Sequence, residues 1–202
     1  MDHSGAETAS IAHRVFTFEE NNTLPSLTVS IPEVLDPQYG MYVWPCAVVL
    51  AQYLWTHAEE LRNKTVLELG AGVSLPGVVA AKCGAKVILS DSAELPHCLE
   101  NCRRSCEANR LPDVPVLGLT WGEISPDLVL LPALDIILGS DVFYEPEDFE
   151  NVIVTAAFLL RKNPKAQFWT TYQERRAHLA GSALPGNHTV QMMVITLRTE
   201  DS

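Results

Sequence analysis

The sequence lacks several features that would indicate a membrane protein or a secreted one. None of its apolar runs reaches the roughly 18 residues that span a bilayer. Its beginning, MDHSGAETAS, has neither the basic nor the apolar region of a secretory signal. It contains only five cysteines, and free thiols are typical of reducing compartments. We therefore expect no membrane association and a location in the cytoplasm and the nucleus.

Basic residues are scarce as well. Fourteen Lys and Arg stand against 25 Asp and Glu, which gives a formal net charge of −11. Such a surface repels phosphate backbones, so nucleic acid is not expected as a direct substrate. The charge suits a cationic partner, such as a peptide rich in Lys or Arg, although acidity also serves solubility. With 47% hydrophobic and 19% charged residues in a chain of 202, the composition is that of a globular protein.

The beginning of the chain predicts a tail followed by a small antiparallel pair of strands. Residues 1–13 are interpreted as a flexible tail and residues 14–202 as a single domain. Arg14–Glu19 and Leu27–Val34 alternate apolar and polar residues on either side of a turn-like stretch, which predicts a β-hairpin. Ala47–Leu61 follows with apolar residues at helical spacing.

Beyond residue 64, short apolar strands rich in β-branched residues alternate with helices. Strands of this kind are typical of a parallel sheet that is buried on both faces. The alternation predicts an α/β fold with a doubly wound, mostly parallel sheet and right-handed crossovers. The predicted strands are Thr65–Leu69, Lys86–Ser90, Pro115–Leu119, Asp135–Gly139 and Gln167–Thr171. The predicted helices are Pro76–Cys83, Leu95–Asn109 and Glu147–Arg161, with a short helical turn in Pro126–Leu131.

The last predicted strand, Val190–Leu197, follows Thr171 after a short stretch interrupted by Gly and Pro. A parallel return would need a packed crossover helix, for which the stretch has too few suitable residues. We therefore predict that this strand runs antiparallel to its predecessor.

Three cysteines, Cys98, Cys102 and Cys106, recur every four residues and so share one face of a predicted helix. A metal or redox cluster is one interpretation, but zinc sites bring ligand pairs closer together and add His or further Cys. We favour a buried stripe of small apolar thiols and predict no metal site.

The most informative motif is the loop in LELGAGVSLPG, between the first parallel strand and its helix. In a parallel sheet this loop lies at the carboxyl edge, where ligands bind, and Gly70 and Gly72 allow a close approach of the backbone. Leu75 replaces the third Gly of a dinucleotide fingerprint, and the Lys of a P-loop is absent, so phosphate is not indicated. Glu68 suits a cationic ligand, such as the amino and sulfonium groups of S-adenosylmethionine, or is a structural residue of the turn.

Further candidates follow neighbouring strands. Asp91 ends the second parallel strand, 21 residues after Gly70, where a carboxylate can accept both ribose hydroxyls or cap the next helix. Asp141 follows DIILGS at the same edge and could orient a Lys or Arg nitrogen, or act as a cap. Trp44 and Trp121 offer flat faces for stacking or for a methylated cation, or pack in the core.

Together these segments resemble the seven-strand class of S-adenosylmethionine-dependent methyltransferases, and within it family 16, which contains many non-histone protein lysine methyltransferases. The resemblance is carried by VWPCAVVLAQYL, LELGAGVSLPG, Ser90-Asp91, LTWGE and GSDVFY, over roughly Tyr42–Thr171. It implies a Rossmann-like methyltransferase fold with S-adenosylmethionine as the cofactor.

The resemblance also implies individual contacts with this cofactor. Trp44 would lie near its methionine end, Asp91 would hold the ribose, and Trp121 would pack against the adenine. The backbone of Gly70, Ala71 and Gly72 would also contact the cofactor, and Ser140 would line the site at the end of the fourth strand.

Asp141 and Tyr144 match the family's Asp-x-x-Tyr motif, close to the entrance of the methyl-accepting nitrogen. We therefore expect both to act in catalysis. Asp141 would orient the nitrogen and stabilise charge, and Tyr144 would donate a hydrogen bond or form a wall of the pocket. A buried structural tyrosine is the alternative for Tyr144, and no histidine is an obvious general base.

The expected function is methylation of Lys or Arg side chains in a histone or non-histone protein, with chaperone or regulatory proteins as further partners. Methylation of a small molecule and a weakly active or inactive cofactor-binding interaction protein are the alternatives. The family normally adds a helix and an antiparallel strand pair after its fifth strand, and Gln173–Gly186 is too short for the helix and one of these strands. A chain shortened in this way would form six strands with an uncovered outer edge.

Overall fold

The computed structural model describes residues 11–19, 26–34, 42–173 and 189–198. Strand β1 (Ile11–Phe18) pairs antiparallel with β2 (Leu27–Val34), which confirms the predicted hairpin. The sequence predicts a tail through residue 13, whereas β1 already begins at Ile11. Its first residues extend the ladder opposite the end of β2, because the pairing needs only backbone groups there.

Six further strands form the main sheet. They are β3 (Thr65–Leu69), β4 (Lys86–Asp91), β5 (Val116–Gly118), β6 (Ile136–Ser140), β7 (Gln167–Gln173) and β8 (Val190–Thr196). Their order is β5-β4-β3-β6-β7-β8, and all are parallel except β8, which runs antiparallel to β7 as predicted. The strand order reverses between β3 and β6, and ligands bind at such a switch point.

Helices connect the strands near the predicted positions. They are α1 (Pro45–Thr56), α2 (Ala58–Leu61), α3 (Leu75–Lys82), α4 (Pro96–Ala108), α5 (Pro126–Val129) and α6 (Phe149–Lys162), with a 3₁₀ turn at Pro146–Asp148. In the described part of the chain, none of them has the length and apolar character needed to cross a bilayer.

The predicted helix Ala47–Leu61 is divided at His57, which separates α1 from α2. The backbone of His57 leaves the helical region, and its ring nitrogen Nδ1 lies 2.8 Å from the carbonyl oxygen of Tyr53. The ring also stacks on Tyr53, with 4.0 Å between the centroids. These contacts hold the chain in a turn that apolar periodicity does not reveal.

Each face of the main sheet carries its own core. Helices α1, α3 and α4 cover one face together with the β1–β2 pair, and α5 and α6 cover the other. Within β3, Val66 points to the first core and Leu67 to the second, and both are fully buried. Burial on both faces explains why these strands are nearly continuous apolar runs, and the doubly wound fold is confirmed.

Strand β8 forms the outer edge of the sheet within the described residues. It leaves Val194 and Ile195 partly exposed, at 47% and 39%, as expected of a strand with one paired side. The prediction that Gln173–Gly186 lacks the family's helix and strand falls almost wholly on residues 174–188, outside the described part of the chain.

Candidate active site

A cleft of about 530 Å³ opens at the carboxyl edge of the sheet, beside the switch point. Cavities of roughly 300–1,000 Å³ accommodate ligands the size of a nucleoside derivative. The ends of β3, β4 and β6, the segment before α1 and the loop after β5 all contribute to its lining. The structure brings together nine of the ten candidate residues in this lining: Trp44, Gly70, Ala71, Gly72, Asp91, Trp121, Ser140, Asp141 and Tyr144.

The glycine loop has the conformation that its sequence suggests. Gly70 and Gly72 have φ angles of 59° and 55°, in the left-handed region that glycine adopts without strain. A Cβ atom on Gly70 would lie 2.7 Å from Cζ2 of Trp121. The indole therefore lies directly across the backbone of Gly70, and any larger residue would displace it.

The peptide groups of the loop are held from below by helix α4. The Sγ–H of Cys102 donates a hydrogen bond to the carbonyl oxygen of Gly72 at 3.3 Å, and the Oγ–H of Ser105 donates to that of Val73 at 2.7 Å. Both side chains are fully buried. This support was not predicted from the sequence. Its signal is the spacing of Cys102 and Ser105, two small polar side chains three residues apart on one face of a helix.

The cysteine stripe is buried, as the sequence predicts: Cys98, Cys102 and Cys106 form no disulfide and have almost no exposed surface. Burial raises the pKa of Cys102 above its ordinary range and that of Cys98 to about 11. The described residues contain no cluster of His, Cys, Asp and Glu suited to a metal ion.

Asp91 lines the cleft with its carboxylate already oriented. Its Oδ2 accepts a hydrogen bond from the N–H of Gly72 at 2.7 Å, and its Oδ1 accepts one from Ser92 at 2.8 Å. Burial raises the pKa of Asp91, and these two backbone bonds oppose that rise. Each oxygen keeps a second lone pair with which to accept a ligand hydroxyl. The alternative role as a helix cap is ruled out, because the N-cap residue of α4 is Leu95 and no side chain caps the helix.

Glu68 is the candidate that the structure does not bring into the cleft lining. Its side chain is 1% exposed, and Oε2 accepts a hydrogen bond from the N–H of Gly77 in α3 at 3.0 Å. A Cβ atom on Gly77 would collide with that oxygen, so only glycine leaves room for the carboxyl group there. Burial raises the pKa of Glu68 to about 8, although the Gly77 bond opposes the rise. The expected direct contact with a cationic ligand is therefore corrected, because the strand pleat turns Glu68 beneath the loop.

Two tryptophans, Trp44 and Trp121, line the cleft. Trp44 precedes α1, with its ring centroid 4.6 Å from that of Tyr42, which also lines the cleft. Trp121 belongs to the loop after β5, and this loop is fixed to α6 because Thr155 Oγ1 accepts a hydrogen bond from the N–H of Gly122 at 2.8 Å. The flat faces expected from the sequence are thus held by separate elements.

Asp141 follows β6 in a backbone conformation that is uncommon for a residue with a side chain. Its φ is 58°, and its N–H donates to the carbonyl oxygen of Thr171 at 2.9 Å. Aspartate tolerates this left-handed region better than most residues, and such strain is concentrated at functional sites. The conformation places Asp141 and the nearby Tyr144 in the lining of the cleft.

The cleft is lined by acidic side chains, and the lining described by the structure contains no lysine or arginine. Sequence analysis missed three of these acids, because they follow turns and the start of a helix without a recognisable motif. The acidic residues are Asp91, Glu94, Asp141, Glu145 and Asp148. A lining of this charge favours cationic ligands.

Comparison with known proteins now identifies the family. The sequence model of methyltransferase family 16, described as lysine methyltransferase, matches residues 23–180. The chain belongs to this family. It is therefore an S-adenosylmethionine-dependent methyltransferase, and the family, enzyme class and cofactor expected from the sequence are confirmed.

Similar proteins extend the family assignment. A protein of Xenopus laevis named histone-arginine methyltransferase METTL23 is 59% identical over 217 residues, covering 93% of this chain and 93% of that protein. Because this aligned stretch exceeds the 202 residues of the chain, the frog protein carries residues within it that the chain lacks. A mouse protein named protein N-lysine methyltransferase METTL21A is 39% identical over 60% of this chain and 56% of its own length.

The fold also matches solved structures. The 16S rRNA methyltransferase RsmC of T. thermophilus, solved with AdoMet and guanosine, superposes with a TM-score of 0.58 over 80% of this chain. The match covers 42% of that enzyme at 18% sequence identity, so it shows a shared fold.

Proposed function

We propose that the protein transfers the methyl group of S-adenosylmethionine to arginine side chains of proteins, with histones as the substrate class. The observation that carries this proposal is the acidic lining of the cleft around Asp141. A guanidinium group would enter a site in which every charged side chain that the structure describes is a carboxylate. Charge-assisted hydrogen bonds to such groups are stronger than neutral ones and orient the bound cation.

Similarity supports arginine rather than lysine as the acceptor. The relative at 59% identity over 93% of this chain is named a histone-arginine methyltransferase. The relative named for lysine is more distant, with 39% identity over 60% of the chain. We therefore expect the residues that select arginine or lysine as the acceptor to match those of the more similar relative.

The cleft fits the cofactor in shape and chemistry. Gly72 leaves open space beside the loop for an adenosyl group, and Asp91 has free lone pairs for the ribose hydroxyls. We assign the adenine to the face of Trp121 and the methionine end to Trp44. Ser140 and the backbone of Ala71 complete the proposed contacts. When bound, this cofactor supplies a methyl group that is already activated for transfer.

The protein's own contribution is positioning and electrostatics. The accepting nitrogen must present a lone pair in line with the methyl group and lose its proton. The Asp141 carboxylate would accept a hydrogen bond from that nitrogen and stabilise its positive charge. Tyr144 would donate a hydrogen bond or close the wall behind the substrate.

We propose a location in the nucleus and the cytoplasm, since the relatives' named substrate is a histone. Chaperone or regulatory partners stay a prediction of the family resemblance. Nucleic acid is disfavoured as a substrate by the net charge of −11.

Labelling tests the proposed function. The purified protein would be incubated with S-adenosylmethionine carrying a tritiated methyl group and with core histones, and the histones would then be hydrolysed to amino acids. We expect the label in methylarginine, and none with heat-treated protein. Label in methyllysine would overturn the choice of arginine. Binding of the cofactor without transfer to histones or to a cell extract would favour a non-catalytic binding protein.

A further inference from the structure

The β1–β2 pair, which lies outside the main sheet, contacts the cofactor cleft through one carboxylate. Glu33 on β2 accepts a hydrogen bond from the backbone N–H of Val43, with 2.8 Å between Oε1 and N. Val43 lines the cleft between Tyr42 and Trp44, which line it too. A side chain from the N-terminal strands therefore holds the backbone of one cleft wall, here called the aromatic wall (residues 42–44).

Strand β2 gives Glu33 a rigid base. Val29 and Ile31 are buried in the core beneath the sheet. The side-chain amide of Asn109, at the end of α4, pairs with both backbone groups of Ser30: its Oδ1 accepts from the N–H at 3.0 Å, and its Nδ2 donates to the carbonyl oxygen at 2.7 Å. The same helix supports the glycine loop, so β2 and the loop are both attached to α4.

A second hydrogen bond holds the chain on the C-terminal side of the aromatic wall. The hydroxyl of Thr171 in β7 donates to the carbonyl oxygen of Cys46 at 3.0 Å, just after the wall. At Val43, the acceptor is the Glu33 carboxylate. The Glu33 side chain is only 16% exposed, and Nη1 of Arg14 lies 3.7 Å from its Oε1, so the carboxylate is held in place by a second contact. A charged acceptor forms a stronger bond with a backbone N–H than a neutral one does.

We propose that Glu33 is a positioning residue for methyl transfer. Its carboxylate holds the aromatic wall so that Trp44 faces the methionine end of the cofactor. The proposal rests on the cofactor placement proposed above and is independent of whether arginine or lysine accepts the methyl group. It also gives the N-terminal strand pair a role in cofactor binding.

Calorimetry with S-adenosylhomocysteine measures the effect on affinity. Glu33→Ala should weaken binding about tenfold, the loss typical of one hydrogen bond to a charged group. Glu33→Gln should restore affinity to within about threefold of the wild type, because the amide oxygen can still accept from Val43. Glu59→Ala is the matched control, since Glu59 is 79% exposed and pairs only with Arg62 on the helix surface among the described residues.

A double-mutant cycle with Trp44→Ala separates positioning from general stability. If Glu33 acts through the wall, Glu33→Ala should change affinity less than twofold in the Trp44→Ala background, because coupled residues are non-additive. A full tenfold loss in that background, or an unchanged Kd in the folded Glu33→Ala protein, would overturn the proposal. Failure of the wild type to bind S-adenosylhomocysteine would overturn the cofactor placement and this inference with it.

Discussion

At the scale of single residues, Glu68 and Asp91 have the same chemical group in different surroundings. Asp91 ends β4 beside the cleft, where two backbone N–H groups orient it. Glu68 lies one residue before the end of β3 and points beneath the loop, where burial raises its pKa to about 8. The two carboxyl groups therefore differ in position: Asp91 lines the cleft, where we propose that it binds the ribose, and Glu68 joins β3 to α3.

The raised pKa of Glu68 predicts how stability changes with pH. The unfolded carboxyl group releases its proton near its ordinary pKa of 4.5, whereas the folded one keeps it to about 8. The folded state therefore binds more protons between these values, so its contribution to stability is present at low pH and is lost as pH rises through this window. Glu68→Gln should flatten that decline and stabilise the protein at pH 8. Urea unfolding from pH 5 to 8.5 measures the free energy of unfolding of both proteins. Identical slopes of this free energy against pH for the wild type and Glu68→Gln would contradict the prediction.

Asp141 is the residue on which the chemistry is expected to depend. Its φ of 58° makes Asp141→Asn a cleaner variant than alanine, because asparagine tolerates the left-handed region. We expect kcat to fall by at least about a hundredfold, since the uncharged amide cannot stabilise the positive charge of the accepting nitrogen. The Kd for S-adenosylhomocysteine should stay nearly unchanged. Asp113→Asn, on an exposed loop, is the control, and full turnover by Asp141→Asn would refute the assignment.

At the scale of elements, helix α4 joins the N-terminal strands to the cofactor loop. Its buried face carries Cys102 and Ser105, which donate to the loop carbonyls, and Asn109 at its end pairs with β2. Cys98, in the first turns of the same helix, also lines the cleft. We infer that α4 fixes the positions of the glycine loop and of β2 relative to each other. This explains why its buried face carries small polar side chains as well as apolar ones.

Ser105→Ala tests this role of α4. The substitution leaves the carbonyl oxygen of Val73 buried without its donor, which costs about 1–3 kcal/mol of unfolding free energy. The loosened loop should also bind S-adenosylhomocysteine more weakly. Chemical denaturation and calorimetry measure the two effects, with Glu107→Ala on the exposed face of α4 as the control. Unchanged stability and affinity would show that the hydrogen bond is dispensable.

At the scale of the whole molecule, the acidic surface and the acidic cleft favour the same partners. The net charge of −11 attracts basic peptides over distances longer than any single contact. Salt shortens this range, from a Debye length of about 10 Å at 0.1 M to about 3 Å at 1 M. The same charge opposes the approach of nucleic acid.

Substrate affinity should therefore depend on ionic strength. The KM for an arginine-rich histone peptide should rise steadily as salt increases, while kcat changes little. Steady-state kinetics over a series of KCl concentrations measures this, and the Kd for S-adenosylhomocysteine serves as the internal reference. A KM that is insensitive to salt would indicate that the peptide is recognised without the acidic lining.

The sequence by itself determined the succession of strands and helices along the chain, the antiparallel last strand and most of the residues of the candidate site. It could do so because buried strands, glycine loops and residues at strand ends have local patterns, and the carboxyl ends of parallel strands meet at one edge. Only the tertiary structure decided that Glu68 lies beneath the loop, that His57 divides a helix, and that Glu33 holds the aromatic wall. These features depend on contacts between segments distant in the chain or on side-chain direction, which periodicity does not encode.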